Sequence, residues 1–279
     1  MSCSSEKCSA GNSCQSEKDH AASVAPGKWA AHELSNIHHV IAVMSGKGGV
    51  GKSSVTGMLA VALAQAGHRV GVLDADITGP SIPRMFGLHD KPGSAVDGIL
   101  PVKSTMGIEV MSLNLLLPGE DDPVIWRGPL IAGAIKQFWT DVIWGELDYL
   151  VVDLPPGTGD APLSVLQSLP LDGLVIVSSP QDLAVMVVKK AIKMAEMMRA
   201  PILGLVENMS YILCPHCGEE VRAFGPSQGG KVAQSLGIPF LGALPLDPRL
   251  AELCDRGLIE DYRNPLFSEI ARTVSAMVK

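Results

Sequence analysis

The feature that most constrains this chain is a glycine-rich loop at residues 46–53, which reads Gly-Lys-Gly-Gly-Val-Gly-Lys-Ser. It fits the pattern G-x-x-x-x-G-K-[ST], in which glycines let successive backbone N–H groups turn inward around phosphates. An apolar run at Val40–Val43 precedes the loop, and apolar residues recur at helical spacing from Ser54 to Gln65. A strand, such a loop and a helix in that order predict a nucleoside triphosphate site, because the helix dipole adds positive charge beneath the phosphates.

Individual loop residues suggest separate tasks. Lys52 is predicted to reach the β- and γ-phosphates, and the Ser53 hydroxyl to bind Mg²⁺. We expect Lys47 to point away from the enclosed phosphates and toward a nucleotide held by another subunit; a solvated loop lysine is the alternative. The predicted nucleotide contacts in this loop are Gly46, Lys47, Gly48, Gly49, Val50, Gly51, Lys52, Ser53 and Ser54.

Apolar segments along the rest of the chain indicate the fold class. Strand-like runs occur at Val40–Val43, Arg69–Leu73, Ile108–Leu113, Tyr149–Val152, Leu174–Val177, Ile202–Val206 and Phe240–Ala243. Helical patterns fill most intervals, notably Pro129–Thr140, Asp182–Arg199 and Pro248–Arg256. This alternation predicts an α/β P-loop NTPase fold with a doubly wound, mainly parallel sheet. Ligands of such sheets bind at the carboxyl ends of the strands.

Acidic residues follow two of the predicted strands, where that site should lie. Asp76 is the candidate for orienting the attacking water, and Asp74 for the outer coordination shell of the metal; an Asp-x-Asp turn or helix cap is the alternative. Asp153 ends an apolar strand and is predicted to hold Mg²⁺ directly or through water. The Leu-Pro-Pro-Gly-Thr-Gly that follows suits a switch loop, and Asp160 fits a helix N-cap as well as a functional acid.

A second motif, Cys214-Pro-His-Cys217-Gly, allows three interpretations. A redox pair requires the first cysteine to cap a helix, yet the residues after Cys217 lack helical periodicity. Two structural thiols in a loop are the second interpretation. A metal knuckle fits best, because the turn brings two thiolates toward one ion.

Two thiolates do not complete a tetrahedral or cubane site, which takes four ligands. The missing ligands come from another subunit or from the N-terminal Cys3, Cys8 and Cys14. We favour the other subunit, because Lys47 independently indicates a two-fold dimer. Cys254 lies alone in a helical pattern and is predicted to be a packing residue.

Composition and charge set further limits. Residues 1–35 hold few large apolar residues and are predicted to form a flexible arm, whereas residues 36–279 form the ATPase domain with its thiol knuckle at 214–217. The formal net charge is −7, and no basic tract appears, which argues against nucleic acid as a partner. No apolar run approaches the ~18 residues of a membrane span, and the N-terminus lacks a secretory pattern, so a cytoplasmic location is expected.

Several motifs together resemble known families. The loop sequence resembles the deviant Walker A motif of the dimeric ParA/MinD/nitrogenase-iron-protein group, in which the signature lysine, here Lys47, crosses the dimer interface. The wider combination resembles the Mrp/ApbC family from about residue 35 to near the end. It comprises SGKGGVGKSS, DADITGPS, WRGP at 126–129, QFWTDVIWGELDYLVVDLPPGTGD at 137–160, VENMSYILCPHCG at 205–218 and FGPSQGGKVA at 224–233.

This resemblance implies a slow, Mg²⁺-dependent ATPase that forms a homodimer. Members of the Mrp/ApbC family commonly carry a [4Fe–4S] cluster on the paired cysteines, here Cys214 and Cys217, and deliver it to apo-proteins. The resemblance further implies that Asn208 contacts adenine and that the segment around Asp247 lines the other side of the ring. From the residues alone, Asn208 is equally a turn former.

The arm resembles that of a eukaryotic cytosolic scaffold branch, but it has three cysteines where that branch has four. His20 could serve as a fourth ligand, but a solvated polar residue is the favoured interpretation. Two rival functions remain open: a zinc-stabilised dimeric NTPase, and a ParA/MinD-like positioning ATPase. The second requires a basic surface or tail, whereas Pro265–Lys279 reads as a helix packed on the domain.

Overall fold

The computed structural model describes residues 28–76, 79, 81–116, 128–180 and 185–278. The predicted roles of Cys3, Cys8, Cys14 and His20 therefore lie outside the described residues, as does the start of the WRGP motif at 126–129.

Eleven strands are present in the described part of the chain. They are β1 Asn36–Ser45, β2 Val70–Asp74, β3 Gly93–Ser94, β4 Ile99–Leu100, β5 Val102–Lys103, β6 Glu109–Ser112, β7 Glu146–Asp153, β8 Gly173–Ser178, β9 Ile202–Leu213, β10 Glu220–Val221 and β11 Phe240–Pro245. The helices in the same residues are α1 Lys52–Gln65, α2 Ile82–Met85, α3 Gly128–Thr140, α4 Asp160–Ser168, α5 Val185–Met197, α6 Gly229–Leu236, α7 Pro248–Asp255 and α8 Pro265–Met277.

Nine of these strands form one sheet, in the order β10-β9-β8-β1-β7-β2-β6-β5, with β11 also paired to β9. All pairings in this sheet are parallel except those of β5 with β6 and of β10 with β9. The central strand β1 lies between β7 and β8, so the connections wind outward in both directions from it. The doubly wound, mainly parallel sheet predicted from the sequence is confirmed.

Alternation along the central strand divides the core into two layers. On one face of the sheet, Val40, Ala42 and Met44 pack with residues of α3, α4, α5 and α6. On the other face, Ile41 and Val43 pack with residues of α1, α2 and α8. Both faces of the sheet are therefore covered, which explains why its strands read as continuous apolar runs.

The predicted strands and helices have observed counterparts, but several strands are longer than predicted, β9 most of all. The run Ile202–Val206 was expected to end near Val206, whereas β9 continues to Leu213. Polar residues follow Val206, but the backbone there pairs with β11 and then with β10. Pairing with neighbours therefore overrides the local polarity of the sequence.

Part of the segment assigned to the arm packs on the domain. The Trp29 N–H donates to the Ser168 carbonyl at 2.8 Å, and Trp139 Nε1 donates to the Trp29 carbonyl at 3.0 Å. The Trp29 side chain also packs against the core. Residues 28–35 thus adjoin the domain, and the remainder of the proposed arm lies outside the described residues.

The C-terminal helix α8 buries Phe267, Ile270, Ala271 and Val274 against the sheet, as its apolar pattern predicts. Among the described residues, no helix combines the length and apolar character needed to cross a bilayer.

Candidate functional site

The glycine-rich loop joins the carboxyl end of β1 to the start of α1, at the centre of the sheet. Gly51 has φ 77°, and a Cβ built there would lie 2.3 Å from Asn208 Nδ2, so both backbone conformation and space favour glycine. The loop borders a cleft of about 230 Å³, a size compatible with phosphates. The cleft is lined by Ser45, Gly48, Gly49, Gly51, Lys52, Ser53, Ser54, Asp76, Ser81 and Pro156.

Parallel pairing brings the predicted acids beside this loop. Asp74, at the end of β2, is in register with Asp153, at the end of β7, and Asp153 is also in register with Val43 of β1. The fold therefore places both carboxylates at the strand ends that adjoin the cleft.

Lys52 lies at the centre of a buried ionic network. Its Nζ is 2.8 Å from Asp153 Oδ1 and 3.4 Å from Asp76 Oδ2. Asp153 also accepts hydrogen bonds from Ser53 Oγ at 2.5 Å and from Thr56 Oγ1 at 2.7 Å. Lys52 is 5 % exposed and Asp153 is fully buried, so the pair is shielded from solvent.

Burial dominates the ionisation of the two in-register acids. It raises the pKa of Asp153, an effect opposed by the charge of Lys52 and by hydrogen bonds from Lys52, Ser53 and Thr56. The pKa of Asp74 is raised well above its ordinary value, first by burial and then by the charge of Asp153. The positive charge of Lys52 opposes both rises and so favours the ionised form of each acid.

Oxygen donors in the network suit a hard divalent cation. The Ser53 hydroxyl lines the cleft and donates to the buried Asp153 carboxylate behind it, and hydroxyl and carboxylate oxygens are the donors that Mg²⁺ takes. Asp74 lies one step further away, with its oxygens accepting from the Asp76 N–H at 3.1 Å and the Ser112 hydroxyl at 3.0 Å. This placement fits an outer-shell role for Asp74.

Lys47 is exposed at the start of the loop, and its carbonyl accepts a hydrogen bond from Ser45 Oγ at 2.9 Å. It is not among the residues that line the cleft, whereas Lys52 is. Its action on a second subunit stays a prediction.

Asn208 on β9 contacts the phosphate loop directly. It is buried, and its Nδ2 donates to the Val50 carbonyl at 2.9 Å. The next residue, Met209, has φ 59°, a left-handed conformation that is rare for a residue other than glycine. Asn208 therefore supports the loop, and its contact with adenine stays a prediction.

Asp247 caps helix α7. Its Oδ1 accepts from the Arg249 N–H at 2.9 Å, and its Oδ2 accepts from the Tyr262 hydroxyl at 2.7 Å. The side chain is thus committed to the helix start, and a part in lining the base would involve the surrounding backbone.

Cys214 and Cys217 lie on the turn that joins β9 to β10. The Cys214 N–H donates to the Glu219 carbonyl, the Gly218 N–H donates to the Cys214 carbonyl, and Gly218 has φ 74°. Cys214 is half-buried and Cys217 is exposed. Backbone N–H groups of Cys217 and His216 lower the pKa of the Cys214 thiol. Such donors stabilise a thiolate, which is the form that binds metal.

Neither cysteine of the thiol pair lines the nucleotide cleft, and a metal site at the pair stays a prediction. No helix begins at Cys214, which removes the geometry expected of a redox pair. Within the described residues, no group of three or more potential metal-binding side chains occurs. Cys214 lies six positions beyond Asn208 along the chain, which sets an upper limit of about 20 Å on their separation.

Sequence reasoning missed three supporting residues. Thr56 and Ser112 donate to the site acids Asp153 and Asp74, and buried Glu207 accepts from the backbone N–H groups of Gln228 and Gly229. Thr56 follows Ser53 by three positions on a helix, a spacing that places both on one face, so this signal was available. Ser112 and Glu207 carry no comparable local signal.

Comparison with known proteins identifies relatives over nearly the whole chain. The ParA family model described as "NUBPL iron-transfer P-loop NTPase" matches residues 36–279. An iron-sulfur cluster carrier protein of Clostridium perfringens is 48 % identical over 275 residues, covering 95 % of each chain. The cytosolic Fe-S cluster assembly factor CFD1 of Saccharomyces cerevisiae is 44 % identical, covering 87 % of this chain and 89 % of its own.

A solved structure gives the same fold. The nucleotide-binding protein of Archaeoglobus fulgidus, in complex with ADP, has a TM-score of 0.75 and 49 % identity. The match covers 83 % of this chain and 91 % of that one.

Proposed function

The chain belongs to the ParA family described as NUBPL iron-transfer P-loop NTPases, and on this premise we propose that it is an ATP-dependent iron–sulfur cluster carrier. In this proposal a homodimer holds one [4Fe–4S] cluster as cargo and delivers it to apo-proteins. Relatives named as iron-sulfur cluster carrier and Fe-S assembly factor support this assignment.

ATP binds at the glycine-rich loop, with Lys52 contacting the β- and γ-phosphates. Lys52 then exchanges its carboxylate partners for phosphate oxygens, and Asp153 and Ser53 are the residues that would hold Mg²⁺. Mg²⁺, when bound, offsets negative charge on the phosphates. Asp76 orients the attacking water. Asp74 fixes the backbone at Asp76 by accepting a hydrogen bond from the Asp76 N–H.

The base and the second subunit complete the nucleotide site. Asn208 and the backbone around Asp247 border the adenine, and Lys47 reaches the phosphates of the partner's nucleotide. Phosphoryl transfer depends mainly on positioning and on positive charge near the phosphates. Two lysines from different chains provide that charge only when the dimer has formed.

The cluster is shared between two chains. Cys214 and Cys217 supply two thiolates. The same two cysteines of the second chain, related by a two-fold axis beside the β9–β10 turn, supply the other two. The observation that carries the proposal is strand β9, which bears Asn208 at the phosphate loop and ends at the thiol turn. A change at the loop is thereby linked through one continuous strand to the cluster ligands.

The test is an anaerobic reconstitution followed by iron and acid-labile sulfide analysis per chain. One cluster per dimer gives about two iron atoms and two sulfides per chain. Cys217→Ala should lose both, whereas Cys254→Ala, which removes the half-buried thiol of α7, and deletion of residues 1–20 should retain them.

Other outcomes point to other sites. About four irons per chain, lost on deletion of residues 1–20, would place the cluster within one chain and its arm. Zinc without sulfide would favour the zinc-stabilised NTPase, because thiolates accept either metal. A full cluster content in Cys217→Ala would contradict the proposal.

We further propose that the protein acts in the cytoplasm and that neither nucleic acid nor a membrane is its partner. The packed α8, with its buried apolar face, disfavours the positioning-ATPase alternative, which requires a helix available to a membrane.

A further inference from the structure

Helix α5 presents an exposed face whose composition differs from the rest of the surface. Met186 and Met197 are 64 % and 75 % exposed, and Lys190 and Lys193 lie between them on the same stripe. These positions follow one another at intervals of four, three and four residues, which align on one side of a helix. The opposite side, with Val188, Ala191, Ile192 and Ala195, is buried in the core.

This face is basic in an acidic protein. Lys189 joins Lys190 and Lys193 as a third exposed lysine, and Glu196 is the one acid in the helix. Within the described residues, none of the three lysines forms an ion pair. The chain as a whole has a formal net charge of −7, so the charge of this lysine cluster is opposite in sign to that of the whole protein.

The helix is attached directly to the phosphate loop. A Cβ built on Gly46 would lie 1.9 Å from Val187 Cγ1, so the first turn of α5 packs against the start of the loop with no space between them. A protein bound on the exposed face would therefore lie beside the nucleotide site.

We propose that the exposed face of α5, defined by Met186, Lys189, Lys190, Lys193 and Met197, docks an acidic recipient protein, an inference that rests on the proposed carrier function. Lysines attract and orient an acidic surface, and long-range attraction raises the rate of encounter. Exposed methionines add apolar contact that adapts to different partners. A second copy of this chain is disfavoured, because a two-fold contact through this face would bring together two surfaces that each carry three lysines and one glutamate.

The test compares two variants that change the net charge equally. Lys189→Glu, Lys190→Glu and Lys193→Glu are combined in one protein; Lys91→Glu, Lys136→Glu and Lys231→Glu, also exposed lysines, are combined in the control. Both are loaded with cluster anaerobically and mixed with an acidic apo-ferredoxin that accepts a [4Fe–4S] cluster. Absorbance and circular dichroism follow the transfer.

We expect the α5 variant to transfer the cluster about tenfold more slowly than the control at low salt, with the difference vanishing near 0.5 M salt, because salt screens the attraction. Its cluster content and ATP hydrolysis should equal those of the control. Equal transfer rates for the two variants would overturn the docking proposal.

Two further measurements separate its failure from other failures. If the wild-type protein takes up no cluster, the carrier function itself is wrong. If the α5 variant loses its dimer in analytical ultracentrifugation while the control keeps it, the face belongs to an interface between copies, and the docking proposal fails.

Discussion

At the scale of single residues, the site is organised around one buried cation. Lys52 faces Asp153 at 2.8 Å and Asp76 at 3.4 Å, and Asp74 lies behind them in register with Asp153. Burial raises the pKa of both Asp74 and Asp153, so their ionised forms depend on Lys52. The lysine is thus a structural element of the nucleotide-free protein as well as the proposed phosphate ligand.

Replacing Lys52 should therefore affect both stability and catalysis. Lys52→Met is expected to abolish ATP hydrolysis and to lower the free energy of unfolding by about 2–4 kcal/mol, because it leaves buried carboxylates without their counter-charge. Urea unfolding without nucleotide measures the loss. The double variant Lys52→Met, Asp153→Asn should regain part of the stability but no activity. Unchanged unfolding of Lys52→Met would refute the structural role.

Some residues of the candidate site could be predicted from the sequence and others could not. The loop glycines, Lys52, Ser53 and Asp153 follow from motif spacing, and the structure brings them together. The hydrogen bond from the Tyr262 hydroxyl to Asp247 could not be predicted this way, because Tyr262 lies outside the helix that Asp247 caps. Side-chain partners of this kind depend on packing, which the local pattern does not encode.

At the scale of elements, strand β9 connects the two halves of the site, and Glu207 fixes its position. The carboxylate is buried, accepting from the Gln228 and Gly229 N–H groups at 2.9 and 2.7 Å and from the Ser210 hydroxyl at 2.7 Å. It thereby satisfies the free N–H groups at the start of α6. Asn208, the next residue, is held against the phosphate loop as a result.

Glu207→Ala should destabilise the protein by about 2–4 kcal/mol, since it leaves the backbone N–H groups of Gln228 and Gly229 without their acceptor. Glu207→Gln keeps one acceptor oxygen and should lower the free energy of unfolding by less than Glu207→Ala does. Thermal or urea unfolding gives both values, and nucleotide affinity should fall in the same order because Asn208 shifts with the strand. A Glu207→Ala protein as stable as wild type would contradict this account.

The elements show what periodicity predicts and what it leaves out. Buried strands such as β1 and β8 and the helix α1 were predicted because continuous apolar runs fit a sheet covered on both faces. The two-residue strands β3, β4, β5 and β10 are largely exposed, so no apolar pattern predicts them. Their existence depends on pairing with segments elsewhere in the chain.

At the scale of the whole molecule, two separate features favour the proposed dimer. The thiol turn provides two ligands where a cluster takes four, and Lys47 is exposed outside the cleft that Lys52 lines. One two-fold dimer would answer both needs, with nucleotide and cluster sites assembled in the same step. ATP binding and cluster retention would then be coupled through the interface.

Mixing inactive variants tests this coupling for the nucleotide. In a dimer of Lys47→Ala with Asp76→Ala, the first chain keeps its own Asp76 and receives an intact Lys47 from its partner, so one of two sites is complete. Random pairing at equal amounts should restore about a quarter of wild-type ATP hydrolysis per chain, because half of the dimers are mixed.

The matched control mixes Lys52→Ala with Asp76→Ala. Both of these residues act within their own chain, since Lys52 Nζ and Asp76 Oδ2 lie 3.4 Å apart in one subunit, so no mixed dimer has a complete site. Co-expression with two different affinity tags isolates the mixed dimers and should double the recovered rate of the first pair while leaving the control inactive. If Lys47 instead acts within its own chain, both mixtures stay at the level of the single variants, and the shared assembly of the nucleotide and cluster sites loses its support.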